Sequence, residues 1–213
     1  MVSIRNRVRL ATLPVLILIM GLAGCGSPAP IMQDRFYSLA PPAMEAPIGS
    51  PMPASLLVND LAARGFAGGR QIIFRTEAAP LLVQRYDNLL WAEPVPRALS
   101  RNLADAIGAA RIFEFVLLPA DRGRADYLLG GEVDRFEHLP TAVPPRVVGA
   151  FTLALVRADD RRSLLHRRYS GEVEVQGATP EAMADAFNQL AALLAADVVR
   201  DLRTWSGRPA KAP

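Results

Sequence analysis

From residue 165 to 176 the chain alternates between two faces. Leu165, Tyr169, Gly171, Val173 and Val175 fall on one, and His166, Arg168, Ser170, Glu172, Glu174 and Gln176 on the other. Period-two alternation fixes a β-strand with one buried and one wet side, and a one-sided sheet needs something to cover it. The cover follows at once. Thr179-Pro180-Glu181 supplies a hydroxyl N-cap, a proline at the first helical position and an acid in the first turn. Met183, Phe187, Leu190, Leu194 and Val198 then form a stripe at helical spacing. This helix is expected to end near Leu202 or Arg203.

The same periodicities place the remaining elements. Val95, Leu99, Leu103 and Ile107 recur every four residues and predict a helix over 96–109, with Gly108 near its end. Strands are predicted over 36–39, 55–61, 71–76, 81–86, 112–118, 127–136 and 146–156, the last pairing with 164–176 as a long hairpin around Asp159-Asp160-Arg161-Arg162. Gly130-Gly131 in mid-strand points to a bulge or to close packing against a helix. The order β-β-β-β-α-β-β-β-β-α gives a single α+β domain, a largely antiparallel or mixed sheet with two helices on one face.

Before residue 54 the pattern is different. Arg5, Arg7 and Arg9 precede an apolar run of about thirteen residues that closes on Leu22-Ala23-Gly24-Cys25, the three parts of a secretory signal. The run is well short of the roughly 20 residues of a spanning helix. No second apolar segment is expected to approach spanning length. Leu-Ala-Gly-Cys resembles the bacterial lipobox, which implies acylation of Cys25, the only cysteine in the chain. No disulfide is then available, so packing alone holds the fold. Removing residues 1–24 takes the 24 basic residues down by three, to equal the 21 acidic ones. Nothing in that balance points to nucleic acid. Seven prolines between Gly26 and Pro53 read as an extended tether. The expected layout is a signal peptide over 1–24, a lipidated tether over 25–53 with a short strand near 36–39, a domain over 54–204 and a flexible tail over 205–213.

Catalytic constellations are weak. His138 and His166 fall on separate strands, and no cysteine remains to complete a zinc site; His166 reads as a surface histidine. Glu132, Asp134, Glu137 and His138 cluster in sequence, but Glu132 and Asp134 are two apart and read as a solvated strand face rather than a catalytic carboxylate pair. The segment Arg64 to Gly69, Arg-Gly-Phe-Ala-Gly-Gly, lacks the spacing of a phosphate loop, and no G-x-S-x-G or H-E-x-x-H is present. The sequence argues against an enzyme, and no metal or cofactor is expected. Trp91, Glu93 and Pro94, at the entry to the first helix, read either as a packed corner or as partner contacts. Trp205 reads as an interfacial anchor or as a cap on the sheet edge.

The lipobox, Phe36-Tyr37-Ser38-Leu39, the strand at Ile72-Ile73-Phe74-Arg75 and Tyr86…Trp91-Ala92-Glu93-Pro94 followed by Leu99 and Leu103 together resemble the ABC-type transport auxiliary lipoproteins, of the paraquat-inducible protein C-like kind. Tyr127-Leu128-Leu129 leading to Phe136, the hairpin and the final helix extend the resemblance over about residues 34–202. One departure is Asn59-Asp60-Leu61, where the family usually carries a Pro-x-Tyr-Leu-like segment. The resemblance implies a non-catalytic periplasmic lipoprotein beside an ABC permease, its ATPase and an MCE-domain protein that move lipid between membranes. Gly26, in place of a retention aspartate, implies an anchor in the inner leaflet of the outer membrane. Because MCE proteins form rings, a homo-oligomeric face is a further expectation. The competing readings are a lipid carrier shielding an acyl chain between helix and sheet, and an envelope hydrolase, for which no nucleophile is visible.

Overall fold

Strand β7, Tyr127–Leu139, is the axis on which the other strands are arranged. A computed structural model describes residues 33–41 and 49–206; Cys25, its leader and the tail beyond residue 206 lie outside them. Along one edge β7 pairs antiparallel over its whole length with β8, Arg146–Arg157, which pairs in turn with β9, Ser163–Glu174. Along the other edge it meets three short strands in succession, all parallel to it. These are β2, Met52–Val58, then β3, Ala62–Ala63, then β4, Gln71–Thr76. The sheet forks there. One branch continues from β2 to β6, Phe113–Leu117, and the other from β4 through β5, Ala79–Trp91, to β1, Arg35–Tyr37.

The result is the expected single α+β domain with a mixed sheet, and it differs from the sequence reading in its details. β3 and the short 3-10 turn Gly65–Gly68 occupy what reads as a simple connection. β5 runs on to Trp91, five residues beyond its expected end, because Asp87 and Asn88 sit in an irregularity rather than a turn. Gln71 pairs with Leu90 and Ile73 with Arg85, so two steps on β4 face five on β5.

Helix α1, Val95–Ala109, and helix α2, Pro180–Ser206, cover the same face of the sheet. Thr179 Oγ1 accepts from the Ala182 amide at 3.2 Å, the N-cap the sequence calls for. Met183, Phe187, Leu190, Leu194 and Val198 are all buried against the sheet. By length and composition alone α2 is long and apolar enough to cross a membrane, contrary to the expectation that no second segment comes near that length. Here its apolar stripe is spent on the core. The helix continues to Ser206 because Trp205 has a partner: its ring stacks on Phe113 with centroids 6.3 Å apart and meets Tyr127 edge-on at 5.3 Å. Of the two readings of Trp205, the structure has it capping the sheet.

Glycines let helix and sheet approach closely. A Cβ on Gly149 would stand 3.0 Å from Leu190 Cδ2, and one on Gly171 3.4 Å from Leu190 Cδ1. Gly131 serves a different purpose, since a Cβ there would lie 1.9 Å from the Thr152 carbonyl oxygen of β8. Between Val133 and Arg135 β7 has one residue more than β8, and Asp134 is the bulge. Core positions consequently change parity, from Leu129 and Val133 before the bulge to Phe136 after it.

Candidate functional site

The entry to α1 is a stitched corner. Trp91 ends β5 with its amide donating to the Arg70 carbonyl at 2.6 Å, while Arg70 Nε donates back to the Trp91 carbonyl at 3.0 Å. The indole is buried and meets Phe187 edge-on at 5.2 Å and Phe136 at 5.7 Å, so it ties β5, β7 and α2 together. Pro94 is exposed, and its carbonyl accepts the first helical bond from Ala98. The Glu93 carboxylate lies 3.2 Å from Arg101 and 3.9 Å from Arg97, one turn into the helix. Of these three residues, Glu93 and Pro94 present surface and Trp91 does not.

The segment that opens the domain, expected to be part of the tether, is strapped to both helices. Glu181, in the first turn of α2, takes the Tyr37 hydroxyl at 3.0 Å and forms an ion pair with Arg35. The Ala40 amide donates to Asn188 Oδ1 at 2.6 Å, and Asn188 Nδ2 donates to the Ser38 carbonyl at 3.3 Å. Asn102 of α1, buried, donates to the Ala40 carbonyl at 2.7 Å. Sequence reasoning sees a short strand in a tether here. The anchoring partners lie about 60 to 150 positions away, beyond the reach of any local pattern.

The acidic residues of β7 are each taken by arginine. Arg64 pairs with Glu132 at 2.7 Å and Arg168 with Asp134 at 3.2 Å. Glu137, 1% exposed, holds Arg75 Nε at 2.8 Å on one carboxylate oxygen and Arg135 Nε at 3.0 Å on the other. Each of the three carboxylates is thus held in a structural pair. Among the described residues no group of three or more His, Cys, Asp or Glu is placed to hold a metal ion.

His138 and Glu137 are adjacent in β7 and so point to opposite faces. The His138 side chain is buried, with Nδ1 2.8 Å from the Tyr86 hydroxyl of β5. Burial holds its pKa down at about 4 and pushes that of Tyr86 up. Both residues line a cavity of about 330 Å³ between β5, the β7–β8 connection and the start of α2. His166, by contrast, lies exposed on β9.

A family model described as the ABC-type transport auxiliary lipoprotein component matches residues 37–199. Among solved structures the fold is similar to protein XCC0632 from Xanthomonas campestris, with a TM-score of 0.69 and 20% identity over 80% of this chain and 95% of that one. It is also similar to an uncharacterized protein at a TM-score of 0.63 and 17% identity, over 80% of this chain and 99% of the other. At these identities the likenesses show a shared fold. None of the curated proteins matches the sequence.

Proposed function

This chain belongs to the ABC-type transport auxiliary lipoprotein component family, and from that membership we propose that it is a lipid-anchored, non-catalytic subunit of an MCE-type intermembrane lipid transport system. The family match carries the reading, because residues 37–199 span the sheet and both helices. The domain is held by acyl chains on Cys25 through the tether, and its loops or sheet edges grip the MCE assembly beside the permease and ATPase. Three acyl chains would anchor it stably where one would not. With Cys25 acylated, Gly26 in place of a retention aspartate supports an anchor in the outer membrane, facing the periplasm. The strap from Arg35 to Ala40 supports this arrangement, since it fastens the point where the chain enters the domain to both helices. The arginine-paired carboxylates of β7 support a non-catalytic role.

The experiment is an affinity pull-down of the acylated full chain from envelope extracts. Recovery of an MCE-domain protein with its permease and ATPase is the expected result, and recovery of secretion or cell-wall proteins alone overturns it. Cys25→Ser is expected to leave the chain as a precursor or as a soluble periplasmic protein with its domain intact. Normal transport by that variant would show the anchor to be dispensable.

A further inference from the structure

The sheet ends on one side in a long strand with an open edge. Among the described residues β9, Ser163–Glu174, pairs with β8 alone, while β6 and β1, which end the two branches on the other side, have five and three residues. An open edge of this length invites another strand, and native chains commonly blunt one with proline, lysine or a bulge. β9 holds no proline or lysine, and its irregular register lies at its start, between Ser163 and Leu165. The Val175 amide donates to the Pro145 carbonyl at 2.9 Å, so odd-numbered positions spend their backbone groups on β8. In an antiparallel ladder the alternate positions turn theirs the other way. The register holds from Glu174 back to Leu165. His166, Arg168, Ser170, Glu172 and Glu174 therefore offer amides and carbonyls to the free edge, and all five are exposed.

Along that edge charge is ordered by sign, with Arg168 and then His166 before Ser170 and Glu172 and Glu174 after it. Laid antiparallel against a copy of itself about Ser170, the edge sets Arg168 opposite Glu172 of the second copy and His166 opposite its Glu174, and symmetry repeats both. Facing side chains there stand about 4.5–5.5 Å apart at Cβ, where opposite charges attract. An axis one residue either way leaves one such pair in place of two. Within each copy Arg168 also touches Asp134 at 3.2 Å and Glu172 touches Arg146 at 3.4 Å, so the pairing joins four side chains of alternating sign. A second feature lies at the same height. Leu190 and Leu194 come 3.4 and 3.6 Å from a Cβ built on Gly171, which sets this stretch of α2 level with Ser170. Leu193, between them, is 56% exposed. Asp201, bonded to Tyr169 at 3.0 Å and Arg167 at 2.9 Å, marks the side of α2 toward β9, and Asn188, bonded to Ser38 and Ala40, marks the other. At about 100° per residue Leu193 lies about 80° from Asp201 and about 140° from Asn188, so it flanks the open edge. We propose that β9 is a twofold interface between two copies of this chain. Their edges join antiparallel about Ser170, Leu193 of each copy turns toward the other across the axis, and one sheet runs through both.

The interface stands apart from the transporter association, which the pull-down reads separately. Sedimentation of the full chain in detergent is expected to give a dimer. Arg168→Glu and Glu172→Arg should each raise its dissociation constant about ten-fold or more, and the double swap should bring it back to within about three-fold. The swap restores opposite signs between copies but not the pairs with Asp134 and Arg146, so rescue reads the contact between copies and not the fold. Leu193→Asp should weaken the dimer as well. In a chain carrying Cys25→Ser, Ser170→Cys supplies the sole thiol. It lies on the axis, at a Cα separation of about 5.5 Å that a disulfide can span. Oxidation is expected to link two copies. His166→Cys in the same background would stand about 27 Å from its counterpart, at ~3.4 Å per residue, and should stay unlinked. A monomer, a ring of three or more copies, or linkage through position 166 instead of 170 overturns the interface. Single charge variants that dimerise as the unmodified chain does overturn the charge pairing.

Discussion

The Tyr37 hydroxyl donates to Glu181 Oε1 at 3.0 Å, tying the first strand of the domain to the first turn of its last helix. Glu181 also pairs with Arg35, and its carboxyl is held below the usual range chiefly by its own backbone amide and then by Tyr37. One side chain thus starts α2 and fastens the segment that enters the domain.

Removing that fastening is expected to act locally. Glu181→Ala should speed amide exchange over residues 35–40 several-fold while leaving the unfolding midpoint of the domain nearly unchanged, because the pair is exposed. A carboxyl with a depressed folded pKa stabilises above its unfolded value and loses that effect as pH falls through the folded one. The strap should therefore loosen below about pH 4.3, the ordinary glutamate value. Exchange at pH 7 and pH 3.5 checks both statements.

Glu137 should be among the costliest polar residues to change. Its carboxylate is buried under two guanidiniums that keep some water contact. Glu137→Leu leaves both without their partner and is expected to cost about 2–4 kcal/mol, somewhat below a fully buried pair. Arg135→Met should cost less, since Arg75 still holds the carboxylate. Urea midpoints of the two variants give the comparison.

His138 predicts an acid-side loss of stability. Its folded pKa of about 4 lies below the ordinary 6.5, so between those values the unfolded chain binds the extra proton and stability falls as pH drops. At 1.36 kcal/mol per unit the effect is at most about 3 kcal/mol. The difference in urea midpoint between pH 7 and pH 4.5 should shrink in His138→Phe relative to the unmodified chain.

Glycine substitutions should separate two kinds of crowding. Gly131→Ala drives a methyl into the β8 backbone, and a cost of about 3 kcal/mol or more is expected. Gly149→Ala meets the flexible end of Leu190 and should cost about 1 kcal/mol. Thermal unfolding of the two variants distinguishes them.

At the α1 corner, Trp91→Ala should cost about 3–5 kcal/mol through the cavity it leaves. Glu93→Ala removes a half-exposed pair and should cost under about 1 kcal/mol. A transport defect in Glu93→Ala with an unchanged urea midpoint would mark that surface as a partner contact.

The alternation in β9, the stripe and N-cap of α2 and the four-residue rhythm of α1 were legible because each is a local property of the chain. They follow from side-chain period and from the unsatisfied amides of a helix start. So did the one-sided sheet and its cover. What local period could not place was register. The bulge at Asp134 and the irregularity in β5 decide that Phe136 joins the core and that Trp91 belongs to a strand.

The sequence by itself determined both helices, most of the strands, the α+β class and the family, with Cys25 as the expected anchor. Only the tertiary structure decided which distant groups meet: Tyr37 with Glu181, Arg75 with Glu137, Tyr86 with His138. The physical reason is that a pairing across 50 to 150 residues leaves no period in the chain. It is fixed when the whole sheet chooses the register that buries its apolar face, and the fork beside β7 and the cavity above His138 exist only after that choice.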